Sequence, residues 1–557
     1  MEMHEQPTLP IMGEDPLVAH DAPTEAHRVQ REPRRRGLSR RALFTSIAGA
    51  GAVAVGGAGL VAWGEQGGGP LPQLAQNLGI SGVFPTRPET SVQVGHLLRR
   101  AGFGASPQEV KEYSALGYQG AVDRLLNSSQ DSDAELENRL KGLNIDLNQP
   151  REQQRWWLLR MIYTNRPLVE KMTLFWHGFL TSSYTKVGGK QYYTRMITQN
   201  NFLRSHAFDS FDTLLLGITA DPAMLVYLDL TKSRKNAPNE NYARELMELF
   251  TLGLGKYTQQ DVYEAASALT GWHVSKDQTG SQFVAADHNT AEKTYLGQKG
   301  NFDYKDVIRI LTNHPDTPWF VCKHLFTFFC YENPSQNDLK PLVDSYNQSN
   351  HNMGAVMKTL LLSPQFQSDK AYRSRIKSPT EFVVGIQRAL GIQGNGNGLP
   401  AEVMSMGQEL FNPPNVAGWP ADKVSAYWLN SGTWMARLNY INLVLMGTKA
   451  KNVSYPGLDL QKLVNDQHIS TPEQFVDYFS SFLLDGRLDA GRKSELVSYF
   501  TTSLQSGTQA TTAVSTKAGK KGKTEPQITL GNGKSYPISN VRGALYLLLS
   551  LPEYQLN

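Results

Sequence analysis

The sequence contains little cysteine and no large excess of charge of either sign. Two cysteines in 557 residues exclude a disulfide framework as the source of stability. Lys and Arg number 55 against 51 Asp and Glu, and this net charge of +4 gives no reason to expect a nucleic-acid partner. A hydrophobic share of 40% excludes a largely disordered chain and is ample for a packed core.

Common catalytic signatures are also missing from the sequence. It has no His-Glu-x-x-His, no Cys-x-x-Cys, no Gly-x-Ser-x-Gly turn and no Walker loop. Cys322 and Cys330 fall on one predicted helix over 319–331, about 12 Å apart, which is too far for a disulfide bond. The sequence therefore identifies neither a cofactor nor a metal, and it leaves open whether the protein is an enzyme.

The amino-terminal region has the pattern of an export signal. Residues 1–27 are acidic and carry no Lys or Arg, whereas seven arginines follow between positions 28 and 41. Arg40 and Arg41 stand before Ala-Leu-Phe and an uncharged run over 47–63, which resembles a twin-arginine (Tat) signal. A basic tail or an ordinary membrane span are the alternatives. We expect export by the Tat machinery, with the protein either secreted or anchored by an uncleaved signal.

Composition divides the chain into a predicted export-signal segment, a spacer and one large body. Residues 1–63 form the predicted Tat signal region, with a long acidic and then basic stretch before the apolar run. Residues 64–88 are rich in Gly, Pro and Gln and read as a spacer. The body covers 89–557 and is interrupted at about 505–537 by a Lys-rich insertion that we predict to be flexible.

Helix signals recur through the body. An N-cap residue followed by proline begins predicted helices at Ser106, Ser378 and Thr471. Alternating strand patterns are scarce, and the best candidate covers 282–286. The segments 361–367 and 549–555 echo each other, which leaves an internal duplication open. The sequence predicts a mainly α fold, a large single helical body with few short strands.

The densest polar stretch runs from Asp229 to residue 253. Asn239 is placed to cap a helix that Gly253 ends, with an apolar stripe on one side. Glu240 and Arg244 are spaced for an ion pair on the other side.

The stretch Asn-Glu-Asn-Tyr-Ala-Arg-Glu-Leu-Met-Glu-Leu-Phe-Thr-Leu-Gly at 239–253, called the hallmark segment below, resembles the domain of unknown function 1800 family. Matching motifs follow in order along the chain, at 96–104, 175–177, 268–272, 287–297 and 412–420. The resemblance implies an exported bacterial protein, often encoded beside a sulfatase-like Tat substrate. It implies no established activity, and the insertion at 505–537 departs from the family pattern.

The polar residues of this region are the candidates for catalysis. Asp229, Glu240 and Glu245 are placed as acid/base groups or metal ligands, and Arg244 as an anion holder. His177, which follows Trp176 on an apolar helix, is a further candidate. The competing interpretation is a buried ion-pair network that fixes helix junctions, with the histidine bonded to a buried carbonyl or carboxylate.

A second group of candidates is aromatic. Trp419, Trp428 and Trp434 lie within 16 residues of one another, close to Asn415. Exposed aromatic rings beside amide side chains suit binding of a sugar ring, although tryptophan in a helical protein more often anchors the core.

Two functional hypotheses remain from the sequence. One is a cell-envelope or extracellular binding or assembly protein, whose partner is the sulfatase-like companion or a cell-surface glycan. The other is an exported hydrolase or transferase that uses Asp229, Glu240 and Glu245. The absence of a recognisable catalytic set favours the first.

Overall fold

The computed structural model describes residues 90–127, 131–188, 193–450, 453–502 and 525–557. Arg40, Arg41 and the predicted spacer lie outside the described residues, as does most of the predicted Lys-rich insertion. Within the described ranges, no helix combines the length and the apolar character needed to cross a bilayer.

Helices dominate the structure, which confirms the prediction of a mainly α fold. The helices of the first part are α1 (Thr90–Arg100), α2 (Pro107–Ala115), α3 (Gly117–Leu126), α4 (Ala134–Gly142), α5 (Pro150–Tyr163), α6 (Pro167–Phe179), α7 (Tyr184–Val187), α8 (Thr194–Ser205), α9 (Phe211–Thr219), α10 (Pro222–Tyr227), α11 (Glu240–Glu245) and α12 (Gln259–Ala268). The helices of the second part are α13 (Tyr304–Thr312), α14 (Thr317–Phe329), α15 (Gln336–Gln348), α16 (Met353–Leu362), α17 (Pro379–Ala389), α18 (Leu399–Ser405), α19 (Pro420–Lys423), α20 (Ser431–Met446), α21 (Leu460–Asp466), α22 (Pro472–Leu483), α23 (Ala490–Thr501), α24 (Ile538–Leu549) and α25 (Pro552–Gln555).

The strands form small antiparallel hairpins. They are β1 (Trp272–Val274) with β2 (Ser281–Phe283), β3 (Lys293–Tyr295) with β4 (Gln298–Gly300), β5 (Thr448–Ala450) with β6 (Val453–Tyr455), and β7 (Gln527–Thr529) with β8 (Ser535–Pro537). The predicted strand at 282–286 overlaps β2. The last hairpin lies at the carboxyl-terminal end of the stretch predicted to be flexible. Ile528 is buried, and Tyr536 packs edge-on against Phe500 with ring centroids 5.1 Å apart.

The predicted helix starts are confirmed. Ser106 and Ser378 each accept a bond from the backbone amide three residues on, in complete capping boxes. Thr471 accepts from the amide of Gln474 and begins α22. These caps satisfy amides that would otherwise lack partners at the helix starts, which is why the local signal is reliable.

Two helix pairs have the same ending. α15 packs on α16, and α23 packs on α24. Each pair is followed by a proline and a buried aromatic residue, Phe366 in the first case and Tyr554 in the second. A backbone hydrogen bond joins the chain after the first pair to the end of the second. The Lys377 amide donates to the Gln555 carbonyl at 2.9 Å.

The core also contains charged groups. Arg100 is 1% exposed and donates to the carbonyls of Phe328, Phe329 and Cys330 at the end of α14. These carbonyls have no partner within the helix, so the guanidinium acts as a C-terminal cap supplied by α1. Cys330 and Cys322 are both buried and free, as predicted.

Candidate functional site

The hallmark segment does not form one continuous α-helix. Asn239 caps α11 by accepting from the amide of Asn241 at 3.0 Å, as expected. Beyond Glu245 the chain widens into a π-helix, Leu246–Thr251, before Gly253 ends it with a φ of 84°. The Thr251 hydroxyl donates to the Leu246 carbonyl at 2.7 Å and braces the wider turn. A π-helix is rare and is frequently found at functional sites.

The hallmark segment retains the predicted apolar side. Tyr242, Leu246 and Phe250 are fully buried. The Tyr242 hydroxyl shares a 2.7 Å bond with Thr219 inside the core. The apolar stripe therefore anchors the hallmark segment, and its polar side chains face a different surface.

Asp229 contacts the polar side of the hallmark segment at Asn241. Its backbone has a φ of 60°, a left-handed conformation that Asp tolerates better than most residues. Its carboxylate lies 2.9 Å from the ammonium of Lys186 and 2.7 Å from that of Lys232. Partial burial alone would raise the pKa of Asp229, but hydrogen bonds from the two lysines outweigh burial and lower it. Asp229 is thus an ionised carboxylate that holds two cations side by side.

Glu240 and Arg244 form the predicted ion pair. Their nearest nitrogen and oxygen are 3.1 Å apart, and Gln259 bonds both, at 2.7 Å to Glu240 and 2.9 Å to Arg244. Both side chains are more than one third exposed, so the pair adds at most ~1 kcal/mol. This arrangement is a structural ion pair, but it is more exposed than the buried network that the competing interpretation expected.

Glu245 has the opposite electrostatic character to Asp229. Partial burial, followed by the charge of Glu248, raises its pKa, and Arg244 opposes the rise. The Tyr257 hydroxyl donates to Glu248 at 2.7 Å and fixes that second carboxylate. The environment therefore makes Glu245 a weaker acid than an ordinary glutamate.

Tyr227 is near Lys186 and within the electrostatic influence of Glu245. The Lys186 ammonium is 5.7 Å from the centre of the Tyr227 ring. The pKa of Tyr227 is raised by burial and then by the charge of Glu245. We call the set Lys186, Asp229, Lys232, Asn241 and Glu245 the Asp229 surface, with Asn241 3.5 Å from the Asp229 carboxylate.

A polar row joins the Asp229 surface to the 412–420 loop. The Ser183 hydroxyl donates to Asn412 at 2.5 Å, and the Tyr184 hydroxyl donates to Glu409 at 2.7 Å. The amide of Asn412 also reaches Glu409, at 2.8 Å. Since Lys186 lies in the same short helix α7, this helix connects Asp229 with the 412–420 loop.

His177 lies apart from the carboxylates. It is 1% exposed and packs between Trp157, Phe411 and Trp419, with ring centroids 5.4 to 5.6 Å away. Burial lowers its pKa to about 3, so the ring is neutral. Its Nε2 is buried and has no hydrogen-bond partner among the described residues, which differs from the bonded histidine that the competing interpretation expected.

The three tryptophan candidates differ in how deeply they are buried. Trp419 and Trp428 are only 3% and 4% exposed, so their rings belong to the core and offer no open face to a sugar. Trp434 is half-buried, and Asn415 is exposed with its side chain closing a turn onto the Ala417 amide at 2.9 Å. The structure does not assemble the four residues into one stacking platform.

Two glycines allow the end of α6, which carries His177, to pack closely against the 412–420 loop. A Cβ on Gly418 would collide with the carbonyl oxygen of Gly178, and Gly418 has a φ of 80°. A Cβ on Gly178 would lie 2.9 Å from the carboxylate of Asp422 and 3.5 Å from the Trp419 ring. Only glycine permits this close approach of the two backbones.

Sequence reasoning missed the charged groups near this contact. Burial raises the pKa of Asp422 to about 7, against a smaller opposing effect of Arg375. Lys171, which is fully buried, pairs with Glu381 and also donates to the Gly102 carbonyl at 2.9 Å. Burial lowers the pKa of Lys171 to about 8, although Glu381 opposes it. The one sequence feature that could have indicated a role for Asp422 is its position two residues after the 412–420 loop.

Within the described residues, these groups belong neither to a metal cluster nor to either of the two best-formed cavities. Within the described residues, no three His, Cys, Asp or Glu side chains are arranged to hold a metal ion. The two best-formed cavities in this part of the chain each measure about 10 Å³, room for roughly one water molecule.

Comparison with known proteins gives one match. A family model described as "Protein of unknown function (DUF1800)" matches residues 96–556. No curated protein matches, and no solved structure matches.

Proposed function

Since this chain belongs to the DUF1800 family, whose function is unknown, we propose from the geometry of the Asp229 surface that it is an exported binding or assembly protein of the cell envelope. Export would use the Tat machinery through Arg40 and Arg41. The sulfatase-like companion implied by the family resemblance is the first partner to test, and a cell-surface glycan is the second. We propose no nucleic-acid partner.

The observation that carries the proposal is the double contact of Asp229. One carboxylate holds Lys186 and Lys232, whose side chains are 47% and 70% exposed, in fixed positions at the surface. Side chains ordered before a partner arrives lose less conformational entropy on binding. The left-handed backbone of Asp229 and the adjoining π-helix are further local departures from regular structure, which cluster at functional sites.

A pull-down tests the proposal directly. The full chain, purified from a Tat-competent host, should retain the sulfatase-like companion, and Lys186→Glu should reduce retention at least tenfold. Lys340→Glu is the matched control, because Lys340 is 60% exposed and pairs with Asp344 far from the site in sequence. Absence of the companion from the wild-type eluate, or equal loss in both variants, would contradict the assignment.

Export is tested separately. Replacing Arg40 and Arg41 together by lysine should leave the full-length chain in the cytoplasmic fraction, because Tat recognition depends on the arginine pair. Normal appearance of that variant outside the cytoplasm would argue against the Tat route.

A second candidate function is an exported hydrolase or transferase. It is favoured by the opposite pKa directions of Asp229 and Glu245, since environments that move the pKa values of two carboxyl groups apart suit an acid and a base. On an envelope polymer that the wild-type protein cleaves, Glu245→Gln should lower kcat by about 10²–10⁴. Glu240→Gln, in the neighbouring structural pair, should leave kcat within a few-fold. Equal activity of Glu245→Gln and wild type would eliminate this role.

A further inference from the structure

A short exposed segment next to Asp229 is strongly basic. We call residues 231–237 the basic turn; Lys232, Arg234 and Lys235 in it are all exposed. Lys186 joins them from α7, because its ammonium and that of Lys232 share the Asp229 carboxylate. Four cationic side chains are therefore gathered on one small area of the surface.

The basic turn is held by its own backbone and by its neighbours. Arg234 and Ala237 exchange backbone hydrogen bonds of 3.1 and 2.9 Å. The Asn239 amide donates to the Ser233 hydroxyl at 3.1 Å, and the Asn289 side chain donates to the Lys235 carbonyl at 3.1 Å. The cations consequently project from a fixed backbone, and less entropy is lost when they bind a ligand.

The four cations are not matched by an equal number of paired carboxylates. Asp229 is the carboxylate that pairs with Lys186 and Lys232. Arg234 donates to the Thr231 and Ser233 carbonyls, and neither it nor Lys235 forms an ion pair with a carboxylate of the described ranges. The nearby Glu240 is occupied by Arg244 and Gln259. The four cations therefore outnumber the one carboxylate that pairs with them by three.

We propose that the basic turn and Lys186 bind the sulfate or phosphate groups of an anionic polymer. This inference rests on the proposed binding function and names the chemistry of its ligand. Lys and Arg form charge-assisted hydrogen bonds with such oxyanions, and several cations in one area favour a polymer with repeated charges over a single ion. Sulfated and phosphorylated polymers share this chemistry, and the experiment separates them.

The test measures binding of the full chain to immobilised dextran sulfate and to immobilised polyphosphate between 0.05 and 0.3 M salt. Lys232→Gln with Lys235→Gln should lower affinity for the preferred polymer at least tenfold and flatten its salt dependence, because two cationic contacts are lost. The control is Lys340→Gln with Lys462→Gln, which removes the same charge from two exposed lysines that each pair with an aspartate four residues on. It should change affinity less than twofold.

Each result decides the inference. Preference for dextran sulfate or for polyphosphate supports it and identifies the oxyanion. Equal losses in the two double variants, or equally tight binding of polyglutamate, would show attraction by general charge and overturn it. Absence of wild-type binding to both oxyanion polymers also overturns it, whereas the proposed partner function fails only in the pull-down with the companion.

Discussion

The guanidinium of Arg99 lies 2.6 Å from the carboxylate of Asp485, a buried contact across 386 positions of sequence. Arg373 and the Tyr372 hydroxyl also reach this carboxylate, at 3.0 and 2.7 Å. The adjacent Arg100 caps the end of α14, whereas Asp485 follows the end of α22. Two consecutive arginines of α1 thus hold the carboxyl ends of two distant helices.

Removing the charge of Asp485 should destabilise the protein severely. Asp485→Asn would leave Arg99 and Arg373 buried without their counter-charge, at a cost of about 3–5 kcal/mol in the free energy of unfolding. The midpoint of urea denaturation measures the change. Asp344→Asn removes one partner of an exposed pair and should cost ~1 kcal/mol or less. Equal midpoints for the two variants would refute a stabilising role of the buried contact.

Gly418→Ala should disrupt the contact between the 412–420 loop and the end of α6. The added Cβ would collide with the Gly178 carbonyl, and the φ of 80° is unfavourable for alanine, so we expect a loss of about 3 kcal/mol or more. Gly142→Ala is the control, since a Cβ there meets nothing within 4 Å and alanine favours helices. A neutral Gly418→Ala variant in thermal unfolding would be incompatible with this packing.

Asp422 should make stability depend on pH. Its folded pKa of about 7 lies above the unfolded value near 4, so the folded protein holds a proton that the unfolded chain has released. Its contribution is therefore complete below pH 4 and is lost as the pH rises through 7.

We expect the wild type to lose on the order of 1–3 kcal/mol between pH 5 and 8 through this group, and Asp422→Asn to lose less. The measurement is the urea midpoint of both proteins at the two pH values. Parallel pH profiles for wild type and variant would show that Asp422 does not titrate in this window.

The left-handed backbone at Asp229 should make two substitutions there differ in stability. Asp229→Asn removes the charge but suits the conformation, whereas Asp229→Ala adds backbone strain of about 1–2 kcal/mol. In denaturation experiments, the free energy of unfolding of Asp229→Asn should therefore exceed that of Asp229→Ala by about that amount. Equal stability of the two variants would mean that the turn relaxes once the carboxylate is lost.

The sequence predicted local features of the fold well. Helix starts at Ser106 and Ser378 follow from a side chain bonding an amide three residues away, and such bonds require no distant partner. The hairpin of β7 and β8 was not predicted, because its stability depends on Ile528 and on the contact of Tyr536 with Phe500. The composition of that stretch predicts flexibility, and composition does not specify such tertiary contacts.

The candidate site was only partly accessible to sequence reasoning. The Glu240–Arg244 pair follows from helical spacing, and the structure contains it. Lys186 lies 43 residues before Asp229, so no spacing rule connects the two. Trp419 and Trp428 were candidates for an exposed platform, and their burial reflects packing that a cluster of aromatic letters does not specify.

The sequence alone determined the helical class, the free state of Cys322 and Cys330, and the family, because these depend on composition, short-range spacing and ordered motifs. The tertiary structure alone decided that Asp229 holds two lysines, that His177 is a neutral ring in an aromatic shell, and that Gly178 meets Gly418. Each of these depends on side chains or backbone brought together from distant parts of the chain. Such contacts arise from the packing of the whole helical body, and that packing sets both the charges and the access of the candidate groups.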